Sequence, residues 1–553
     1  MNTVKNRKAL AAALALCLTL PLGLSACNGG GSGAATSSQS TASSVAASSA
    51  VSTAPASSTP AEQPKGDPVP LTIYKPLHTN LQQYASGNKD LPFYEELAKN
   101  TNTELTFMTP PVGQEKEQFN LIIASGDFPD LFIDPWTNYT GGAAKALQDN
   151  IIIPLNDLME SHGPNMKQAF ADFPNAMKYV TTENGDIYGA PIIFASPLQL
   201  VTWGPNMRLD WLEELGMELP QTIEEYHAVL TAFKNEKGAT CPMVFSLDHF
   251  KNSMIVASAY GVSTSEKFYQ ENGVVKYGPM EPGYRSYLET LSQWYSEGLI
   301  DPDFATLDNN TRNTKMLNGQ SGLAYAPTKG GLAAWTSSLR ETNPSATVGG
   351  APFPALNKGE TVAMGQTNDP ATVRTAISST CKTPEAAMAF IDYGYSEEGH
   401  MLLNFGIEGV SYEMIDGKAI YTDLIMKSEE MPPLSRLNHY ATSPEGNAGL
   451  QMVYDIGFLE QMNAYEPQIN IALERWSGSN TYANNIPGSV KPLSEDSSKY
   501  ATIMNEVITY VDEMFLKFVM GQESLDKYDS FVETIKAKDI ETAVAIMQRA
   551  YDS

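Results

Sequence analysis

The chain has 553 residues, 42% of them hydrophobic, and its 63 acidic against 36 basic side chains give a formal net charge of −27. That length favours more than one domain and allows a substantial core. So acidic a surface repels phosphate backbones and anionic headgroups, which sets nucleic acid aside as a partner and otherwise serves solubility.

The first element is a leader. Lys5, Arg7 and Lys8 are followed by an apolar run from Ala9 to Leu22 and by Leu24-Ser25-Ala26-Cys27, a small-residue cleavage site ending in cysteine. The pattern is that of an exported lipoprotein, in which residues 1–26 are removed as a signal peptide and the Cys27 thiol carries diacylglycerol. Two or three acyl chains, at roughly 0.8 kcal/mol per buried methylene, make a lasting anchor. The run is too short for the ~20 residues of a membrane-spanning helix, and no later segment qualifies. Residues 27–66 are almost wholly Gly, Ser, Ala, Thr and Pro, too poor in large apolar side chains to order themselves. They read as a disordered tether with a reach of tens of Å. Without the leader the net charge is −30.

The folded body begins near Asp67. Leu71-Thr72-Ile73-Tyr74 reads as a strand, Pro92 opens a helix carrying Phe93 and Leu97, and Glu104 to Phe107 reads as a second strand. Phe119 to Ala124 is the apolar face of another helix, and Leu131-Phe132-Ile133 a third strand behind the breaker Gly126 to Asp130. This alternation predicts an α/β layer with a largely parallel sheet. Asn184-Gly185-Asp186 is a tight turn leading to a strand over 187–194. Trp211 to Leu215 is helical up to Gly216, and Thr222 with Glu225 forms a capping box before the stripe Tyr226, Val229, Leu230 and Phe233. Thr383 and Pro384 start a helix through Tyr393; Ser396 caps the next, closed by Gly406. Tyr500 to Phe518 carries the spacing of one long amphipathic helix ending near Gly521, with two shorter ones reaching Ala550. No repeat of solenoid period is present.

Of the four cysteines, Cys17 leaves with the leader and Cys27 is acylated. Cys241 and Cys381 are no disulfide framework and are expected to be small buried residues. No Cys or His pair has zinc spacing, and the acidic clusters lack the Gly and Glu positions of an EF-hand loop, so neither metal nor cofactor is implied. Six scattered histidines also disfavour a metal importer.

Several phrases in this order resemble the solute-binding lipoproteins of bacterial carbohydrate ABC importers, family 1 type, in their large Firmicutes-like form. They are Asn120 to Asp130, ending Ala-Ser-Gly-Asp-Phe-Pro-Asp; Asn184 to Pro191; Arg208 to Gly216; Trp294 to Phe304; and Pro384 to Ala387. The resemblance implies a two-lobed periplasmic-binding-protein-like (type II) α/β fold with an interlobe cleft and a helical C-terminal extension. Lobe one would comprise 67–193 and 346–410, and lobe two 194–345 and 411–553, with Cys241 and Cys381 on opposite lobes. It further implies a monomer on the outer face of the cytoplasmic membrane that captures a sugar and delivers it to permease subunits, with no covalent chemistry.

Sugars present C–H faces that lie on aromatic rings and hydroxyl rims that need donors and acceptors. Such groups belong on loops at the carboxyl ends of strands. Lys75 and His78 follow the first strand, Asp134 and Trp136 the third, and Tyr325 and Trp335 follow Gly322-Leu323-Ala324. By resemblance Gln199 lies near the first interlobe crossing and Asn368-Asp369 at the second. Trp476, beside Ser477-Gly478-Ser479, is a candidate second stacking platform. Trp211 and Trp294 sit at apolar helical spacing and read as core, while Trp203 stands so near the hinge that contact and packing are both open. Two rival readings remain: the same fold binding a peptide or other polar solute, and a surface glycosidase or lyase. The latter needs two carboxylates held about 5–9.5 Å apart, which no local motif nominates.

Overall fold

A computed structural model describes residues 66–552 apart from 134–135, 137–138, 141, 443–448 and 494. The leader, Cys27, most of the tether and Asp134 lie outside the described residues.

Val69–Tyr74 (β1) pairs in parallel with Thr103–Met108 (β2), from Val69 opposite Thr103 to Tyr74 opposite Met108. The helix Pro92–Thr101 joins them, with Pro92 in its first turn, where an amide would have no partner, and Asn102 ending it at φ 49°. The helix Glu115–Ser125 stops at Gly126, φ 74°, and leads to Leu131–Ile133 (β3), whose three side chains are all buried. Ala190–Phe194 (β4) follows the expected turn at Gly185 but is shorter than 187–194, because Ile187 makes only an isolated bridge to Thr181.

After a crossing over 195–202 the chain builds Trp203–Arg208 (β5), Met243–Val244 (β6), the hairpin Phe268–Glu271 (β7) and Val274–Tyr277 (β8), then Leu323–Pro327 (β9) and Val348–Gly350 (β10). The second sheet has the order β10-β5-β9-β6. In front of it lies the helix Ile223–Glu236, begun by the expected capping box: Thr222 Oγ1 accepts from the Glu225 amide at 3.1 Å, and the Glu225 carboxylate from the Thr222 amide at 3.2 Å. Tyr226, Val229, Leu230 and Phe233 are all buried beneath it.

A second crossing returns the chain to Ala371–Ile377 (β11), which runs antiparallel between β3 and β4. The hairpin Tyr412–Ile415 (β12) and Lys418–Tyr421 (β13) precedes Met452–Tyr454 (β14), which pairs in parallel with β4. The first sheet is therefore β14-β4-β11-β3-β1-β2, with β11 running against the other five strands. The near-continuous apolar β3 and β4 are what a strand covered on both faces requires, whereas β2 alternates between buried and exposed positions as an edge.

Two boundaries differ from those read in the sequence. The return to the first half falls after β10, not at 346, because Val348–Gly350 pairs with β5. The final departure falls after β14, not at 411: Phe405 packs on Tyr412 and Tyr421 at 5.9 and 5.5 Å, and β14 completes the first sheet. The helix Gln468–Ser479 then re-enters the second half, where Arg475 and Trp476 donate to the Gly350 and Ala351 carbonyls, each at 3.0 Å. Ser497–Val519, Tyr528–Ala537 and Ile540–Asp552 are the three terminal helices, and Phe515 and Phe531 pack on Tyr287 and Tyr284 of the helix Pro282–Ser296. Thr383 holds the N-cap position of Pro384–Tyr393 without a side-chain bond, whereas Ser396 does cap its helix, accepting from the Gly399 amide at 3.0 Å. Cys241 is a buried free thiol of the second half; Cys381, in the first, is free but only partly buried.

Candidate functional site

A cavity of about 1550 Å³ lies where the two crossings pass between the sheets. On one side it meets Phe194 at the carboxyl end of β4 and Thr372 and Arg374 of β11. The pairing of β11 with β4 slips between Val373 and Thr375, an irregularity at Arg374, and such breaks re-aim a side chain beside a site. Opposite stand Trp203, the first residue of β5, and the wall from Ser246 to Asn252. The crossings contribute Gln366, Asn368 and Asp369, and Tyr269 of β7 closes one edge.

The remaining edge is a strap over 480–488. It is stitched to the second crossing by Asn480, which donates to the Met364 carbonyl at 2.7 Å. Asn485 reinforces it, accepting from the Gly365 amide at 3.2 Å and donating to the Gly365 carbonyl at 2.8 Å. These bonds hold Tyr482 at φ 52°, a left-handed conformation uncommon for an aromatic residue.

Trp203 is backed by Tyr325, ring centroids 6.0 Å apart at 32°, and Tyr325 is in turn flanked by His249 at 5.3 Å. His249 belongs to a capping box of the short helix Leu247–Asn252. Its Nδ1 accepts from the Ser246 amide at 3.1 Å, and its own amide donates to Ser246 Oγ at 3.3 Å. Burial, with the nearby Arg312 guanidinium, holds the imidazole down to about 3, so it is neutral. Asp308 caps the helix Asn309–Leu317 by accepting from the Thr311 amide at 2.7 Å, which keeps its carboxyl below the usual range. Asp369 is pushed the other way by burial of its carboxyl, although the Gly488 amide donates to it and Lys491 and Lys267 lie near. Three carboxylates (Asp248, Asp308, Asp369) and two cations (Lys267, Arg374) thus line the cavity beside aromatic and amide groups.

Of the residues expected at the ligand, Asn368 and Asp369 line this cavity, and Trp203 does so as well. Asp134 lies outside the described residues, and the others do not line the cavity. Trp136 is buried, edge-on to Phe119 and Phe132 at 5.7 and 5.4 Å, and belongs to the first sheet's core. Trp335 is 2% exposed, its Nε1 donating to Asn313 at 3.2 Å. Trp476 is fully buried against Gly204. Tyr325 is buried one layer down, reaching the cavity only through its hydroxyl bond to Gln366 at 3.1 Å. Gln199 is a structural cap, taking the Ser196 amide and donating to the Tyr454 carbonyl, both at 3.0 Å. His78 is buried, with Nδ1 accepting from the Asn80 amide at 3.1 Å. Lys75 is buried beside Arg374, and burial followed by that charge lowers it to about 7. Trp211 and Trp294 are core, as expected. His249, Tyr269, Arg374 and Tyr482 went unnoticed in the sequence. Only His249 carries a legible local signal, the Ser246-x-x-His249 spacing of a cap.

Comparison with known proteins places the molecule among relatives. A family profile described as bacterial extracellular solute-binding protein matches residues 80–401. Lipoprotein LipO of Bacillus subtilis is 23% identical over 379 residues, covering 63% of this chain and 72% of LipO. The fructooligosaccharide ABC transporter substrate-binding protein FusA of Streptococcus pneumoniae is 22% identical over 481 residues, covering 79% of this chain and 82% of FusA. Among solved structures, an HMO-binding, ABC-transporter-associated solute-binding protein from Bifidobacterium longum infantis superimposes with a TM-score of 0.67 at 19% identity, covering 88% of this chain and 99% of that one. The likeness in structure is one of fold: two α/β halves of the periplasmic-binding type.

Proposed function

Since the chain belongs to the bacterial extracellular solute-binding proteins, we propose that it captures an oligosaccharide in the cavity between its halves and delivers it, unaltered, to the permease of an ABC importer. The observation that carries this reading is the cavity itself. At about 1550 Å³ it exceeds the ~300–1,000 Å³ typical of small-molecule pockets. Its lining pairs an aromatic ring, Trp203, with amide and carboxyl groups, Asn368 and Asp369, the two chemistries a glycan needs. FusA and the Bifidobacterium protein, as named, bind oligosaccharides, which supports the same class here.

A ligand touching both halves favours the closed form by the contacts it gains there, so capture is a shift of population. Cys27, by this proposal, carries the lipid that holds the protein on the outer face of the cytoplasmic membrane, the tether giving the body reach. Titration calorimetry with neutral oligosaccharides, uronate oligomers and peptides tests the reading. One oligosaccharide class should bind and be recovered intact; peptide binding alone, or release of sugar fragments, would overturn it. Cys27→Ser should move the protein from the membrane fraction to the medium, and retention in the membrane would count against the anchor.

A further inference from the structure

Three helices among the described residues begin with a capping box, and they differ at one position. In Pro197–Leu200 the reciprocal side chain is Gln199 and in Ile223–Glu236 it is Glu225, the residue types that usually return a bond to the N-cap amide. In Leu247–Asn252 it is His249. Of the three reciprocal side chains, only His249 lines the cavity.

What histidine adds over Glu or Gln is a second nitrogen on the far side of a rigid ring. Nδ1 accepts from the Ser246 amide at 3.1 Å, so in the neutral ring the proton must sit on Nε2. Tyr325 at 5.3 Å and Phe245 at 6.2 Å hold the ring plane. The Nε2 atom has no hydrogen-bond partner among the described residues, nor is it one of the buried polar atoms left without one, which leaves it open to the cavity.

We propose that His249 is a specificity-determining ligand contact whose tautomer is locked by Ser246 so that Nε2–H always donates, to an acceptor oxygen of the bound oligosaccharide. The inference rests on the reading of the cavity as an oligosaccharide site. It carries a corollary for pH. Arg312 on Asn309–Leu317 faces the ring, Asp248 on the ring's own helix and Asp308 at the start of the next line the same wall, and Tyr325 and Phe245 flank it. With burial and Arg312 both opposing a proton, the contact does not switch across the range in which a free histidine titrates.

Capping chemistry supplies variants that separate the two roles. His249→Gln and His249→Glu both keep a side chain able to accept from the Ser246 amide; the neutral Gln should leave the unfolding midpoint near the wild-type value, whereas burial opposes the charge of Glu, so its affinity is read well below its own midpoint. Affinity for kestose, or whichever neutral oligosaccharide the wild type binds best, should fall about 2- to 10-fold in His249→Gln, which keeps a displaced donor. It should fall further in His249→Glu, which has none. The ratio of wild-type to His249→Gln affinity, which isolates this contact from Lys75 and Asp369, should be flat between about pH 5.5 and 8. Equal affinity in all three proteins, tighter binding by His249→Glu, or a ratio that titrates near the ordinary histidine value of about 6.5 would each overturn the assignment. Failure of the wild type to bind any oligosaccharide would instead overturn the reading of the cavity, and this inference with it.

Discussion

Gly204→Ala tests whether Trp476 is part of the core or a surface for ligand. A methyl group built on Gly204 falls 2.2 Å from Cε2 and 2.6 Å from Nε1 of the Trp476 indole, where ordinary contacts are about 3.5–4.0 Å. The ring must retreat by more than an ångström, yet it is fully buried, and Gly350 also stands close, leaving only 3.1 Å from Nε1 to a would-be methyl of its own. Retreat also breaks the bond from Nε1 to the Ala351 carbonyl, 3.0 Å long and buried. Overpacking at about 1–3 kcal/mol and a lost buried hydrogen bond at about 1–3 kcal/mol together predict a loss of about 2–6 kcal/mol, a large part of a typical ~5–15 kcal/mol stability. Urea unfolding followed by tryptophan fluorescence measures it. Trp476→Phe in the same chain removes the clashing ring, so the double variant should lose about 1–3 kcal/mol less than the sum of the singles. Unchanged stability in Gly204→Ala, or strict additivity, would mean that the indole has room to move and that its placement in the core is wrong.

Trp203→Ala should weaken oligosaccharide binding by about 10- to 100-fold, the loss expected when a ring face of ~1.5–3 kcal/mol is removed, while Trp476→Phe leaves calorimetric affinity within about twofold. Comparable losses in both would return Trp476 to the ligand. Asp369 is exposed as a residue, but partial desolvation of its carboxyl at the cavity wall raises its pKa, so the folded state binds the proton somewhat more tightly than the unfolded one and stability falls slightly as pH rises through that window. Asp369→Asn, which can still accept from the Gly488 amide, should therefore unfold at a higher temperature than wild type at pH 7, with the advantage vanishing as pH is brought below the ordinary aspartate value of about 3.9. A variant less stable at pH 7 would show the carboxylate to be net favourable. Burial raises both the Cys241 thiol and, to about 11, the Cys381 thiol, so each should react with a disulfide reagent at pH 8 far more slowly in the native protein than after unfolding; rapid native reaction at Cys241 would contradict its burial.

Element positions were legible where the chemistry is local. Pro92, Gly126, Gly216, Gly406 and the Thr222–Glu225 box act through their own backbone neighbours, and each stands where its chemistry requires. The half to which 411–454 belongs was not legible, because β14 is three residues long and its partner β4 lies some 260 positions earlier, a pairing that leaves no local trace.

The tryptophans misled for a different physical reason. A tryptophan among small residues has the pattern of a ring on an open loop, but glycine also lets a backbone approach a ring closely. Gly204 and Gly350 stand against Trp476, and a methyl on Gly331 would lie 3.4 Å from Trp335. Rings so accommodated are deeply buried, at 0% and 2% exposure. Trp203 has the opposite setting, since its neighbour Gly204 makes room for Trp476 from behind and leaves the Trp203 ring on the cavity side, backed by Tyr325. Successive strand side chains point to opposite faces, so Gly204 makes room for Trp476 while Trp203 lines the cavity, and substitution at Gly204 should disturb both stability and binding where substitution at Trp476 by Phe disturbs only the first.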